Sequence, residues 1–177
     1  ASAYRERHID APDGAAVPLP AHVSAALASR GVDAPGTAVR RAVVSAFDPA
    51  VETRDGAVEA VRAAADHGPV GVLSNCSVPH LASRVLTRSA VDRELLDATV
   101  TSIGCGWRKP DRRAFAAAAR ALDVPIDALY HVGDDLRTDG RVLDRESTAE
   151  QSDTAGPTHV LLEDVSLHEL PAYMEGR

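Results

Sequence analysis

From residue 55 onward, apolar runs of about four residues alternate with helix-length stretches punctuated by glycine, proline and aspartate. This alternation restricts the chain to few folds. Asp55 caps an expected helix through Asp66, with Val58 and Val61 on one side, and Gly68 and Pro69 stop it before a strand from Val70 to Leu73. The next helix has Pro79 in its first turn and runs to about Arg88, and a short helix near Val91 to Leu95 leads to a strand from Ala98 to Ser102. Pro110 and Asp111 open a helix through Leu122, after which Leu129 to Val132 is again a strand. Helix and strand in turn imply an α/β protein with a parallel sheet and helices on both faces.

The flanks are less regular. Residues 1 to 20 are polar and carry Pro12, Gly14, Pro18 and Pro20, an irregular or mobile lead-in. Ala21 to Ser29 is a weak helix that stops at Gly31, and Gly36 to Ala46 is a second, although Val39, Val43 and Val44 suit a strand equally well. Beyond Asp139, segment 144–156 is polar and reads as an exposed, partly disordered loop. Thr158 to Leu162 is the last expected strand, and Val165 to Leu170 a terminal helix capped by Asp164 or Ser166. Residues 1–50 therefore separate, as a partial helical or irregular region, from an α/β core over 51–177.

Three chemical groups stand at expected strand ends. Ser74 closes the run from Val70, so its hydroxyl lies at the carboxyl end of a strand, where open parallel sheets bind ligands. The run Leu129 to Val132 leads into Gly133, Asp134 and Asp135, with Asp139 turned back toward the same end. Two carboxylates about 4 Å apart repel by roughly 4 kcal/mol at an effective dielectric of 20, so such a cluster implies a bound cation, and oxygen ligands at a phosphate-handling site favour Mg²⁺. Between them, in GWRKPDRRAF, stands Lys109, the one lysine among 19 basic side chains. An ammonium is a compact point charge where guanidinium would be a planar fork.

The order VGVLSNCS, then Lys109, then GDDLRTDG resembles motifs II, III and IV of the haloacid dehalogenase superfamily, over roughly residues 52 to 170. The resemblance implies a Rossmann-like core with a helical cap, and most members are Mg²⁺-dependent phosphatases. Carried over, Ser74 hydrogen-bonds the transferring phosphoryl group, Asn75 touches it through its backbone, Lys109 neutralises its charge, and Asp134 with Asp139 ligates Mg²⁺. The expected substrate is a small phosphate ester, cleaved through a phosphoaspartyl intermediate.

One part of the pattern is missing. The family's first motif, an apolar strand ending in DxDxT, supplies the nucleophile, and this chain has no counterpart. Asp10 and Asp13 have the wrong spacing and no apolar strand before them; Asp48 follows an apolar run, but Ala50 stands where the second aspartate belongs. Phosphate-monoester hydrolysis needs accelerations up to about 10²¹-fold, and covalent phosphoryl transfer needs an oxygen nucleophile such as a carboxylate. In the family the missing strand lies mid-sheet, between those of motifs II and IV, so its absence leaves a gap or a different pairing. An amino-terminally shortened enzyme, with residues 1–50 as the rear of an inserted cap, is the preferred expectation. A phosphate-binding or regulatory relative without the nucleophile is the alternative.

Composition excludes other classes. A net charge of −7 argues against nonspecific nucleic-acid binding, which demands clustered Lys and Arg. No run approaches a transmembrane helix. Cys76 and Cys105 form no CxxC pair, and no signal segment is recognisable, so a reduced, cytoplasmic protein is expected. Oligomeric state is not legible. With 45% hydrophobic but 3% aromatic residues, the core must be built from Ala, Val and Leu.

Each singled-out residue also has an ordinary reading. Ser and Asn after a strand are common turn residues, and Asp135 or Asp139 suits a helix amino terminus. His80 and His131 read as packed or surface imidazoles, Cys76 as a small buried thiol, and Arg112 and Arg113 as solvated. Trp107 and Arg108 flank Lys109 on a loop that lines or covers the pocket mouth.

Overall fold

The computed structural model describes residues 2–140 and 157–176. The expected polar loop at 144–156 lies outside them. A single helical turn, α1 (Ser2–Arg5), precedes α2 (Leu19–Ala28) and α3 (Gly36–Ala46), which pack on one another. Then come α4 (Ala57–His67), β1 (Gly71–Ser74), α5 (Leu81–Arg88), a 3₁₀ turn at Arg93–Leu95, β2 (Ala98–Thr101), α6 (Ser102–Cys105) and α7 (Arg112–Ala121). A 3₁₀ turn at Ile126–Ala128 leads to β3 (Tyr130–Gly133), α8 (Leu136–Asp139), β4 (Thr158–Leu161) and α9 (Leu170–Glu175).

The ambiguous segment with Val39 and Val43 is helical. Four residues apart, these two side chains lie on one face of α3 and are both buried. They form a core with Cys76 and Val78, against which Val23, Leu27 and Leu81 pack. The helical pair thus rests on the loop that follows β1.

The strands are parallel, as the alternation implies, and form two separate ladders. β1 pairs with β2, Ser74 opposite Thr101, and β3 pairs with β4, Gly133 opposite Leu161. No pairing joins β1 to β3. The β3–β4 ladder is covered on both sides by the period-two alternation of its side chains. His131 and His159, cross-strand partners, meet Phe115 of α7 edge-on, with ring centroids 5.0 and 5.4 Å away. On the opposite face Val132 and Val160 join Ala60 of α4 and Leu170 of α9. Helix α7 also packs on β1 and β2, so this one helix spans both ladders.

Several boundaries differ from expectation for local reasons. Gly56, not Asp55, occupies the cap of α4. The second strand ends at Thr101, whose hydroxyl accepts the Gly104 N–H and starts α6, and Ser102 turns inward, buried, donating to the Cys76 carbonyl at 3.1 Å. The terminal helix begins at Leu170 rather than Val165, with Pro171 in its first turn, where a missing N–H costs nothing. The lead-in is tied down: Ala15 bridges Trp107 in antiparallel fashion. Among the described residues no helix is long and apolar enough to cross a membrane.

Candidate functional site

The carboxyl ends of β1 and β3 open on one cleft of about 580 Å³, lined by Asn75, Arg108, Lys109, Asp134, Asp135, Arg137, Thr138 and Asp139. Four of the five expected site residues thus come together. Ser74 ends β1, half-buried, and the wall beside it is made by Asn75 instead.

Asn75 holds the backbone of Lys109 in place. Its side-chain oxygen accepts the Lys109 N–H at 2.7 Å, and its amide nitrogen donates to the Lys109 carbonyl at 3.0 Å. This two-point clamp spans 34 residues of sequence. The Asn75 side chain is thus occupied by the backbone of Lys109, which leaves its own backbone as the part expected to meet a phosphate.

The Lys109 side chain is 12% exposed, and its ammonium lies 2.6 Å from Oδ1 of Asp139, which is buried. His131 donates its Nε2–H to the same oxygen at 2.8 Å, and the Asp135 N–H donates to Oδ2 at 3.2 Å. Gly133 makes this arrangement sterically possible, because a Cβ there would overlap the Asp139 side chain. His131 is a packed ring, one of its two sequence readings, and it supports the site from beneath through Asp139. A histidine two residues before a Gly-Asp turn was the available signal.

Electrostatics follow from this packing. Burial by itself would raise the Asp139 pKa, but the hydrogen bonds from Lys109 and His131 outweigh it and hold the carboxyl at about 2. Burial lowers the His131 pKa, against the opposing pull of Asp139, so the ring is neutral at pH 7 and its Nε2 carries the proton. Both shifts have one sign for stability. Asp139 contributes stability above its unfolded pKa that is lost as pH falls through about 2, amounting to about 2 kcal/mol. His131 contributes stability above its unfolded value of 6.5 that is lost as pH falls through its lowered folded value. In metal-free buffer, urea midpoints are expected to fall in two stages on acidification below pH 6.5. The lower stage should disappear in Asp139→Asn, and a flat profile from pH 7 to 3 would contradict the assignment.

The other two carboxylates are engaged differently. Asp134 points outward and pairs with Arg54 at 3.0 Å, with both side chains more than half exposed. Such a pair contributes little and is readily given up. Asp135 caps the turn of α8 through the Arg137 N–H and pairs with the Arg137 guanidinium, whose hydrogen bonds lower its pKa. Its capping role is the ordinary reading, now observed.

Mg²⁺ takes oxygen ligands and commonly needs only one or two carboxylates, with waters and substrate oxygens completing its shell. Asp134 and Asp139 are donors of that type at one strand end. Asp134 is the accessible one, while Asp139 is shared with Lys109 and His131. Among the described residues no three His, Cys, Asp or Glu side chains stand together as a ligand group.

Asp48 is remote from this chemistry in its contacts: it is exposed and ion-paired to Arg88 at 2.6 Å, with Arg84 at 3.9 Å. His80, at a left-handed backbone position, contacts Arg40. Cys76 and Cys105 are free thiols, Cys76 buried. Arg113, expected to be solvated, grips the buried Asp111 and stacks on Trp107, its guanidinium carbon 3.3 Å from the ring centroid.

The sequence matches the family model of haloacid dehalogenase-like hydrolases over residues 16–143. No curated protein sequence matches it significantly. Among solved structures, that of the L-2-haloacid dehalogenase RSc1362 is similar over 99% of this chain and 83% of that one, with 18% identity and a TM-score of 0.51. A haloacid dehalogenase-like family hydrolase from Xanthomonas campestris matches over 89% of this chain and 71% of that one, with 16% identity and a TM-score of 0.49. At such identity the first likeness establishes the fold alone. The match across most of the sequence, together with the parallel α/β architecture, means that the chain belongs to the haloacid dehalogenase-like hydrolase family.

Proposed function

We propose that this protein is a hydrolase of a small phosphate ester, working through a phosphoaspartyl intermediate in the form of the protein that carries a nucleophile strand between β1 and β3. The observation that carries this reading is the cleft at the carboxyl ends of β1 and β3, with Lys109 clamped in its wall. A small anion entering there meets an ammonium already oriented by Asn75 and Asp139. Preorganised charge aimed at a transferring phosphoryl group is the main catalytic device for this chemistry.

The unjoined ladders support a seat for the missing strand. Val72, Leu73 and Val132 belong to continuous apolar runs, the pattern of strands covered on both faces, yet each is only half-buried. Completing the burial of one Val or Leu is worth up to about 1.5–3 kcal/mol. A strand there would end beside Lys109 and deliver a carboxylate to the cleft. Mg²⁺ held by Asp134 and Asp139 would draw negative charge from the phosphoryl oxygens. Asn75 fixes the Lys109 backbone, Asp139 orients its ammonium, and Ser74 offers a hydroxyl at the strand end.

The alternative, a phosphate-binding or regulatory protein, is favoured by the absence of DxDxT from the sequence. Release of phosphate from an aryl phosphate with Mg²⁺ separates the two, measured for this chain and for a version extended at its amino terminus by an apolar strand ending in DxDxT. Activity in the extended form that falls by about 10²–10³-fold in Lys109→Ala is the expected result. Inactivity of both forms, with phosphate still bound, would favour the binding protein. Because the similar solved structure is named a dehalogenase, the same samples should receive an L-2-haloacid: halide release without phosphate release would overturn the phosphatase reading.

A further inference from the structure

We propose that residues 12–19 form a strap that positions the Lys109 loop from behind the cleft, with Gly14 as its positioning residue. Only the ligand-binding arm of the test rests on the phosphate reading above. The segment looks irregular in sequence, yet it is bonded to the loop that leads into Lys109 and to the loop that follows Asn75. The Ala16 N–H donates to the Gly106 carbonyl at 2.8 Å, and the Arg108 N–H donates to the Gly14 carbonyl at 2.8 Å, closing the bridge of Ala15 with Trp107. A few residues on, the Leu19 N–H donates to the Ser77 carbonyl at 2.8 Å, two positions after Asn75. One strap therefore holds the loop immediately before Lys109 and the loop immediately after Asn75, the same two loops that the Asn75 clamp joins from the cleft side.

Gly14 is where this strap is closest to the machinery. Its φ of +80° disfavours any side chain, and a Cβ there would come within 2.5 Å of Oδ2 of Asp111. Asp111 cannot yield freely. It is 2% exposed, caps α7 by accepting the Arg113 N–H at 2.9 Å, and takes two further hydrogen bonds from the Arg113 guanidinium at 3.0 and 2.9 Å. That guanidinium lies on Trp107. Lys109 is suspended between Trp107 and Asp111, so displacing either moves the ammonium relative to Asp139, from which it stands 2.6 Å. A displacement of about 1 Å in a positioned group is enough to cost about 10²-fold in function.

The test compares Gly14→Ala with Gly31→Ala. Gly31 has a similar φ of +73° but nothing within 4 Å of its would-be Cβ, so it carries the backbone penalty without the clash. Trp107 is the chain's one tryptophan and reports directly on the loop. In Gly14→Ala, Trp107 emission should shift to longer wavelength with greater acrylamide quenching. Exchange of the Lys109 amide should accelerate about tenfold relative to amides within α7, and affinity for inorganic phosphate should fall about tenfold or more. Gly31→Ala should match the unaltered protein in all three. Arg113→Ala loosens the clamp from its other end and should free Trp107 and the Lys109 amide even if Gly14→Ala does not fold. Unchanged Trp107 emission and Lys109 exchange in the folded Gly14→Ala or Arg113→Ala protein, or equal changes in Gly31→Ala, would overturn the strap. If the unaltered protein binds no phosphate while Gly14→Ala still releases Trp107 and Lys109, the strap stands and the phosphate reading falls.

Discussion

Asp139→Ala is expected to destabilise the protein by about 3–5 kcal/mol, measured by urea unfolding at pH 7. Asp139 is 3% exposed, and its carboxylate accepts from the Lys109 ammonium, the His131 ring and the Asp135 N–H. Its removal strands a largely buried ammonium and a buried ring N–H at once. Breaking one side of a buried pair is costly because the surviving charge keeps its desolvation penalty without its partner. Removing both sides together, as in Lys109→Met with Asp139→Leu, should therefore cost less than Asp139→Ala alone. A loss below about 1 kcal/mol in Asp139→Ala would mean that Lys109 escapes to solvent when released. Lys109 would then be too loosely held to be preorganised.

Phe115→Ala is expected to cost about 3–5 kcal/mol, the second large effect. Phe115 is 1% exposed, the largest fully buried side chain among the described residues, and is flanked on α7 by buried Ala114 and Ala119. In a protein with 3% aromatic residues, neighbours such as alanine cannot expand to refill the space. The cavity left would retain most of its volume, the condition under which large-to-small substitutions cost most. For a chain of this size the loss corresponds to a fall in Tm of about 2–4 °C per kcal/mol. Since Phe115 meets His131 and His131 donates to Asp139, the double variant with Asp139→Ala should depart from additivity by at least about 0.5 kcal/mol. Strict additivity would show that the packing beneath the site and its charge network act independently.

The positions of the elements were legible because their signals are local. Four-residue apolar runs, Pro in first turns and Gly after last turns identify strands and helices within a few residues, and β1 to β4 all fall where those signals lie. Where the reading stayed open or slipped, the cause is a local competition that a short window does not settle. Valines at 39 and 43 suit either period until a second helix packs on them, and the start of α9 depends on whether Pro171 or the earlier Ser166 opens the helix. The site was legible in its groups more than in their partners. Lys109, Asp134 and Asp139 stand out by type and place, whereas Arg113 gave no sign that it would lie on Trp107.

The sequence by itself determined an α/β protein with parallel strands and placed one ammonium and a group of carboxylates at strand ends, because side-chain periodicity and turn chemistry act over a few residues. Only the tertiary structure decided that β1 and β3 stay unpaired, that Asn75 clamps Lys109, that His131 and Lys109 share Asp139, and that the lead-in straps the Lys109 loop. These are choices of partner across tens of residues. They are settled by which surfaces pack and which buried polar groups must find a mate.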